Sequence, residues 1–257
     1  MLKVLFIGDI VGKKGREALY KYLPFLKENY DCDLVIVNGE NSAHGKGITP
    51  NIYRDFIAAG VDCITLGNHA FSKSCISDFI GTVPNLIRPE NMMPLNIGKS
   101  CCIKEINGTK IGIFNIYGSV FMENCTESPF ISFQRMLLNN PCDIHIVDFH
   151  AEATGEKYGF MRYFQNDCQL IVGTHTHIQT ADEDIYNGCG FICDVGMCGP
   201  YDSVLGRDTE ETLKRFTENI NTRYQVSESE AMLCAVYAEI DCGTKKCTKI
   251  ERIQLRP

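Results

Sequence analysis

The run Val172–Gly173–Thr174–His175–Thr176–His177 closes an apolar stretch, Leu170–Ile171–Val172, with two imidazoles set two residues apart. Three further segments have the same build, an apolar strand-like run that stops at metal-capable side chains. They are Val4–Leu5–Phe6–Ile7–Gly8–Asp9, Leu34–Val35–Ile36–Val37–Asn38–Gly39–Glu40–Asn41 and Cys63–Ile64–Thr65–Leu66–Gly67–Asn68–His69. A fifth, Ile144–His145–Ile146–Val147–Asp148–Phe149–His150, ends in another histidine. Ligands of open α/β sheets bind at the carboxyl ends of strands. Strands that stop at one edge would therefore gather Asp9, Glu40, Asn68, His150, His175 and His177 into one cluster. Carboxylates, carboxamides and imidazoles collected in this way are the ligand set of a two-metal hydrolytic site.

Taken singly, these residues carry less. An Asp after a strand is usually a turn former or helix cap, and a lone His is more often packed than ligating. His44 and His145 stay in that class. His145 alternates with Ile144 and Ile146, so it points away from their face of the strand. It is the recurrence of ligand-bearing strand ends that makes chance a poor explanation.

The first 90 residues alternate strand and helix signals. Strand Lys3–Ile7 precedes a helix from Gly15 to about Asn29 with Leu19, Tyr22, Leu23 and Leu26 on one face, where Pro24 predicts a kink or an early break. Strand Leu34–Val37 leads through Gly45–Lys46–Gly47 to Thr49–Pro50, a capping hydroxyl followed by proline, which starts a helix that Gly60 stops. Strand Cys63–Leu66 and a helix over Ser72–Ile80 follow. This order implies parallel strands with right-handed crossovers. Further on, Cys101–Ile106 and Lys110–Ile116 flank Asn107–Gly108 as a hairpin. Strands recur at Ile144–Phe149, Leu170–Val172 and Phe191–Val195. A charged helix begins at Asp208, with Glu211 three residues on and Leu213, Phe216 and Ile220 on its inner face. Ala231–Ile240 and Cys247–Leu255 form a second hairpin around Gly243. With no Pro/Gly/Ser-rich linker and no internal repeat, residues 1–257 read as one domain with two sheets.

The chain has 257 residues, 44% of them hydrophobic and 22% charged, as in an ordinary soluble protein. A formal charge of −7 argues against tight non-specific binding to nucleic-acid backbone or anionic membrane, while leaving room for a local basic groove. No apolar run approaches the ~20 residues of a membrane-spanning helix. Met1–Leu2–Lys3 enters a strand at once and leaves no room for a signal peptide, so the cytoplasm is the expected compartment. The 14 cysteines form no C-x-x-C pair, Cys189, Cys193 and Cys198 being the nearest thing to a cluster, and read as free thiols used as small buried hydrophobes. Gly8–Asp9–Ile10–Val11–Gly12–Lys13–Lys14 resembles a phosphate loop only superficially. It has three residues between its glycines and lacks the Ser or Thr.

Two cations at the ~3.5–4 Å used in phosphoryl chemistry need a bridging carboxylate, for which Glu40 is the best candidate. Mixed oxygen and imidazole ligation suits manganese, iron or zinc rather than calcium or magnesium. A hydroxide between two such ions forms near neutral pH, since one metal already lowers the pKa of bound water to ~7.

These residues resemble the calcineurin-like metallophosphoesterases, whose motifs D-x-H, G-D/N-x-x-D, G-N-H-D/E, a later His and G-H-x-H correspond to Gly8–Asp9–Ile10–Val11, Gly39–Glu40–Asn41, Gly67–Asn68–His69, His150 and Gly173–Thr174–His175–Thr176–His177. Val11 in place of a His and Glu40 in place of the bridging Asp point to the YmdB-like branch of bacterial phosphodiesterases. The similarity extends through Asp148–Phe149–His150–Ala151–Glu152–Ala153–Thr154 and Asp194–Val195–Gly196–Met197–Cys198–Gly199–Pro200. The resemblance implies a four-layer α/β/β/α sandwich and a dinuclear site acting on phosphodiesters, with 2′,3′-cyclic nucleotides as substrates. One metal would be held by Asp9, Glu40, Asn41 and His177, the other by Glu40, Asn68, His150 and His175. Asn41 puts an oxygen where the superfamily has an imidazole, which favours iron or manganese over zinc.

His69 follows the ligand Asn68 and is the expected proton donor to the leaving oxygen, a role worth ~10²–10⁴-fold. The acidic residue that often follows this His is Ala70 here, so its orienting partner must come from elsewhere, Asp182 or a backbone carbonyl. A phosphomonoesterase or broad nuclease, and a nucleotide- or RNA-sensing regulatory protein, are the competing readings. No long basic stripe is visible in the sequence, which favours a small substrate, and self-association stays open.

Overall fold

Strands whose apolar residues run without interruption need cover on both faces, and the N-terminal part of this chain is built that way. In this computed structural model, which describes residues 1–257, the chain runs β1 (Leu2–Ile7), β2 (Asp9–Ile10), α1 (Gly12–Tyr30), β3 (Leu34–Asn38), α2 (Pro50–Ala58), β4 (Cys63–Thr65) and α3 (Ile76–Phe79). β1 pairs parallel with β3 and β3 with β4. Thr49 caps α2, its hydroxyl accepting the Ile52 amide at 3.4 Å. Two helix expectations are corrected. α1 begins at Gly12 and runs through Pro24, which lies on its exposed side. The helix expected over Ser72–Ile80 shrinks to α3 and a 3-10 turn, Ile80–Thr82.

The rest of the chain adds β5 (Cys101–Ile106), β6 (Thr109–Tyr117), α4 (Pro129–Asn139), β7 (Ile144–His150), α5 (Thr154–Phe164), β8 (Leu170–Thr174), β9 (Asp184–Tyr186), β10 (Cys189–Ile192), β11 (Met197–Pro200), α6 (Thr209–Glu218), β12 (Ala231–Asp241) and β13 (Lys246–Leu255). One sheet has the order β2-β11-β12-β1-β3-β4, with β13 also paired to β12. The other has the order β5-β6-β7-β8-β10-β9. Its central strands β6, β7, β8 and β10 are parallel.

The two-residue period of each strand sorts its side chains into layers. Val4, Phe6, Leu34 and Ile36 face Ile111, Ile113, Ile144, Ile146 and Val172 between the sheets. Leu5, Ile7, Val35 and Val37 point the other way, onto Leu19, Leu23, Leu26 and Phe56 of α1 and α2. Phe114, Val147, Phe149 and Ile171 likewise pack under Phe133, Phe160 and Phe164 of α4 and α5. The result is a four-layer α/β/β/α sandwich. His145 sits on the helix side of its strand, edge-on to Phe114, while Ile144 and Ile146 face inward. No helix is long and apolar enough to cross a membrane.

α6 departs from its amphipathic reading. Asp208 caps it, accepting the Glu211 amide at 2.9 Å, but Leu213, Phe216 and Ile220 are 51%, 73% and 50% exposed. The helix docks through polar groups instead. Glu211 is buried, takes hydrogen bonds from Arg207 at 2.7 and 2.9 Å and receives the Thr222 hydroxyl.

A buried ion pair ties the second sheet to the chain segment leaving it. Lys157 of α5 and Asp194, each about 1% exposed, meet at 2.8 Å. Losing one partner of a buried pair strands the other charge, so Lys157→Met should cost about 3–5 kcal/mol in urea unfolding, and adding Asp194→Asn should restore part of it. Glu211 supplies a pH test. Hydrogen bonds from Arg207, then Thr222, hold its carboxyl below the usual 4.5. A lowered carboxyl contributes stability that is complete above the unfolded value and lost as pH falls through the folded one. The stability difference between the native protein and Glu211→Gln should therefore be flat at neutral pH and shrink below about 4.5, as urea midpoints at several pH values would show.

Candidate metal centre

The carboxyl ends of β1, β3 and β4 in one sheet and of β7 and β8 in the other meet at the same rim. Asp9 lies just past β1, Glu40 and Asn41 past β3, Asn68 and His69 past β4; His150 ends β7, and His175 and His177 follow β8. Asp9, Glu40 and His177 form one group with ligand atoms within 4.8 Å of each other, and Glu40, His150 and His175 form a second, so Glu40 belongs to both. Asn41 Nδ2 stands 3.0 Å from Glu40 Oε1 and 3.0 Å from His177 Nε2. Asn68 Oδ1 is 2.9 Å from His150 Nε2, which is 3.1 Å from His175 Nδ1. All seven residues of the proposed ligand set thus converge, whereas His44 and His145 join neither group.

Each imidazole is held by its second nitrogen. The Thr174 hydroxyl donates to Asp148 Oδ1 at 2.7 Å, so it accepts from His150 Nδ1 at 2.8 Å and leaves the Nε2 lone pair facing the cluster. His177 Nδ1 donates to the Leu205 carbonyl at 3.0 Å, freeing its Nε2. His175 sets Nε2 against Glu152 at 3.0 Å and turns Nδ1 inward. Outer partners of this kind orient metal-binding histidines and fix their tautomers. The backbone contributes too. His175 and His177 have φ of 104° and 66°, a left-handed conformation that costs about 1–3 kcal/mol in a non-glycine residue and persists only when neighbours hold it. Here the neighbours are Asp194, which accepts Thr176 N at 3.0 Å and Thr176 Oγ1 at 2.7 Å, and Asp9, which accepts the His175 amide at 3.2 Å.

The electrostatics fit a cation. Asp9 Oδ1 is buried without a hydrogen-bond partner, an expensive condition for a carboxylate oxygen in a protein interior. Burial, with Asp194 nearby, pushes the Asp9 carboxyl up, and burial with Asp9 nearby does the same to Glu40. Burial also drives His150 and His177 down, keeping them as neutral electron-pair donors. Gly67 leaves the space open, because a Cβ there would run into His150 Nε2 and Glu40 Oε2. Buried carboxylates, neutral imidazoles and an orphaned oxygen form a donor set that bound cations would satisfy.

His69 lies at the mouth of this cluster. Its amide donates to Glu40 Oε2 at 3.1 Å, and its ring meets Asn68 Nδ2 at 3.2 Å and Ser72 Oγ at 3.4 Å. Asp182 is not its partner. That carboxylate accepts the Tyr158 hydroxyl at 2.8 Å and the Cys193 amide at 3.2 Å. Burial, then the Lys46 charge, lowers His69 to about 4. Val11 is fully buried against the glycine positions 199 and 206, so the place of the missing superfamily histidine belongs to the core. The thiols of all 14 cysteines are free, with Cys189, Cys193 and Cys198 buried.

Sequence reasoning passed over Asp148, Thr174, Glu152, Arg207 and Tyr224. The first two carried a usable signal, since Asp148 shares a strand face with His150 and Thr174 adjoins His175. Glu152, Arg207 and Tyr224 line a cleft of about 290 Å³ above the cluster, together with His69, His175 and His177. Glu152 lies within the family-like run after His150, whereas nothing local marks Arg207 and Tyr224.

Three likenesses bear on this site. A Bacillus subtilis protein named 2′,3′-cyclic-nucleotide 2′-phosphodiesterase is 43% identical over 255 residues, 98% of this chain and 96% of that protein. The crystal structure of a novel phosphatase from Mycoplasma pneumoniae superposes with a TM-score of 0.95 at 39% identity, covering 99% of this chain and 93% of the other. A Thermus thermophilus crystal structure gives 0.92 at 32% identity over 98% of both chains. The sandwich is thus of the metallophosphoesterase type. The family model described as YmdB-like protein matches residues 5–253, which takes in all five ligand-bearing strand ends. The chain belongs to the YmdB-like family.

Proposed function

We propose that this protein is a metal-dependent phosphodiesterase that opens 2′,3′-cyclic nucleotides or related small phosphodiesters. The observation that carries the reading is the sharing of Glu40 between two groups of metal-capable atoms at the rim of both sheets. Asp9, Glu40, Asn41 and His177 would hold one ion and Glu40, Asn68, His150 and His175 the other, with iron or manganese favoured over zinc. Cations bound there supply Lewis-acid polarisation of phosphoryl oxygens and bring the pKa of water down to about 7. The name of the Bacillus subtilis relative supports the substrate class. Residues 1–257 act as one domain, since the two sheets contribute to one site, and the free thiols suit a reducing cytosol.

The reaction adds water across one P–O bond of the cyclic diester. The water oxygen bonds to phosphorus, one ribose oxygen leaves, and that oxygen takes up a proton. A free alkoxide is a poor leaving group, and His69, beside Asn68 at the cleft mouth, would give the proton. An incoming phosphodiester anion favours the protonated ring and so opposes the effect of burial. Arg207 lines the same cleft with its guanidinium paired to Glu211.

The deciding experiment is turnover of 2′,3′-cyclic AMP by manganese-reconstituted protein beside an EDTA-stripped control. Metal-dependent release of a nucleoside monophosphate is the expected result. Binding without turnover would replace this reading with a nucleotide sensor. His69→Ala should keep its metal content by elemental analysis and lose ~10²–10⁴ in kcat, while His177→Ala should lose metal. Thr174→Val removes the acceptor that orients His150 and should weaken metal affinity ~10–100-fold in calorimetric titration.

A further inference from the structure

The cleft above the metal centre continues past Tyr224. That ring also lines a second hollow of about 660 Å³, bordered by Lys13, Lys14, Lys73 and Arg223, with Glu228 as its one carboxylate. These cations are poorly neutralised. Lys73 and Arg223 make no ion pair, Lys14 reaches Glu228 only at 4.0 Å, and Lys13 leans on Glu17 at 3.6 Å along an exposed helix face. At the junction Arg207 lies 4.7 Å and Lys46 5.5 Å from the centre of the Tyr224 ring. Gly45 lets its loop lie against that ring, since a Cβ there would overlap it.

Four cations facing one carboxylate stand out in a chain of net charge −7. Like charges held together without partners repel, and a ligand carrying several phosphates relieves that repulsion. A cyclic mononucleotide has one phosphate, and the metal centre takes it. The hollow would then have no counter-charge to accept. A basic groove joined to an aromatic ring is the arrangement by which proteins hold single-stranded nucleic acid, phosphates along the cations and a base on the ring. The groove is invisible in the sequence because residues 13–14, 73 and 223 come from three distant segments.

We infer that the substrate is the cyclic-phosphate end of a single-stranded RNA. The phosphates on the 5′ side of the reacting nucleotide lie among Lys13, Lys14, Lys73 and Arg223, and a base lies against Tyr224. This rests on the phosphodiesterase reading above and specifies the substrate of that site.

The test compares kcat/KM for 2′,3′-cyclic AMP with that for an octaribonucleotide ending in a 2′,3′-cyclic phosphate, using manganese-reconstituted protein. The octamer should be favoured at 50 mM salt. With about three phosphates engaged, its advantage should fall roughly 100-fold between 50 mM and 0.5 M salt. Lys13→Glu/Lys14→Glu/Arg223→Glu should abolish the octamer's advantage and leave turnover of 2′,3′-cyclic AMP unchanged. Equal efficiency on both substrates, or an octamer advantage that survives the triple substitution, overturns the inference while the phosphodiesterase reading stands. If neither substrate turns over, that reading fails. Fluorescence anisotropy of a labelled octamer with a 3′-phosphate then decides on the groove, and equal affinity for native and triply substituted protein overturns it.

Discussion

The buried carboxylate of Asp194 is the constraint on which the rest of the site depends. Residues 193–196 carry the chain from β10 in one sheet to β11 in the other, so the crossing between layers happens beside the ligands. Asp194 is about 1% exposed and accepts the Lys157 ammonium, the Thr176 amide and hydroxyl, and the Gly196 amide. A carboxylate this deep is tolerable only with its lone pairs occupied. The groups that occupy them are those that shape the loop between His175 and His177. Two glycines make the crossing possible. A Cβ at Gly173 would strike the Cys193 carbonyl and one at Gly8 would strike the Gly196 carbonyl. The strands that deliver Asp9 and His175 thus clasp the crossing segment by backbone contact.

Beneath the cluster lies a second polar layer, built across the two sheets. Asp148 of β7 accepts Thr65 Oγ1 at 2.5 Å and Asn38 Nδ2 at 3.1 Å from the opposite sheet, besides Thr174 from its own. Asn38 in turn accepts the Glu40 amide at 3.1 Å. The position of the shared carboxylate is therefore set from the other sheet, through Asp148 and Asn38, and the same Asp148, through Thr174, sets the tautomer of His150. Moving either sheet would break hydrogen bonds among fully buried groups, each worth about 1–3 kcal/mol when left unmade. The ligands inherit the rigidity of the inter-sheet core.

How much of this was legible follows from what kind of information each feature uses. The alternation of strand and helix signals is local, so parallel strands with helical crossovers could be read from the first 90 residues, whereas the four-layer sandwich came only with the family resemblance. Apolar runs that stop at His, Asn, Asp or Glu are local as well, which is why Asp9, Glu40, Asn68, His150, His175 and His177 were named from them, while Asn41 came with the family resemblance. The outcome differed where distant segments decide. The apolar stripe of α6 implied burial, yet the Arg207–Glu211–Thr222 contacts dock that helix by its polar side. Pro24 was weighed by its missing amide alone, whereas the helix is held by Leu19, Leu23 and Leu26 on the opposite side. Asp182, named as one possible partner of His69, is instead held by the Tyr158 hydroxyl and the Cys193 amide. Glu152, Tyr224 and the basic hollow arise only when loops from separate parts of the chain meet over the rim.

The departures from the wider superfamily also have a packing logic. Val11 is the residue before α1, and Gly12 donates its amide to the Asn41 carbonyl at 2.9 Å. The turn that would present a histidine at position 11 is thereby drawn against the loop that carries Asn41. Gly199 and Gly206 close over the Val11 side chain, and a Cβ on either would overlap it. A ring at position 11 would need that lid opened, and the lid is continuous with Leu205, whose carbonyl orients His177. Asn41 sets its carboxamide 3.0 Å from His177 Nε2 while Val11 closes the core. Glu40, the residue common to both groups of metal-capable atoms, lies on the same loop, one residue before Asn41. Glu40 and Asn41 therefore come from one short loop after β3, held by Asn38 on one side and by α1 on the other.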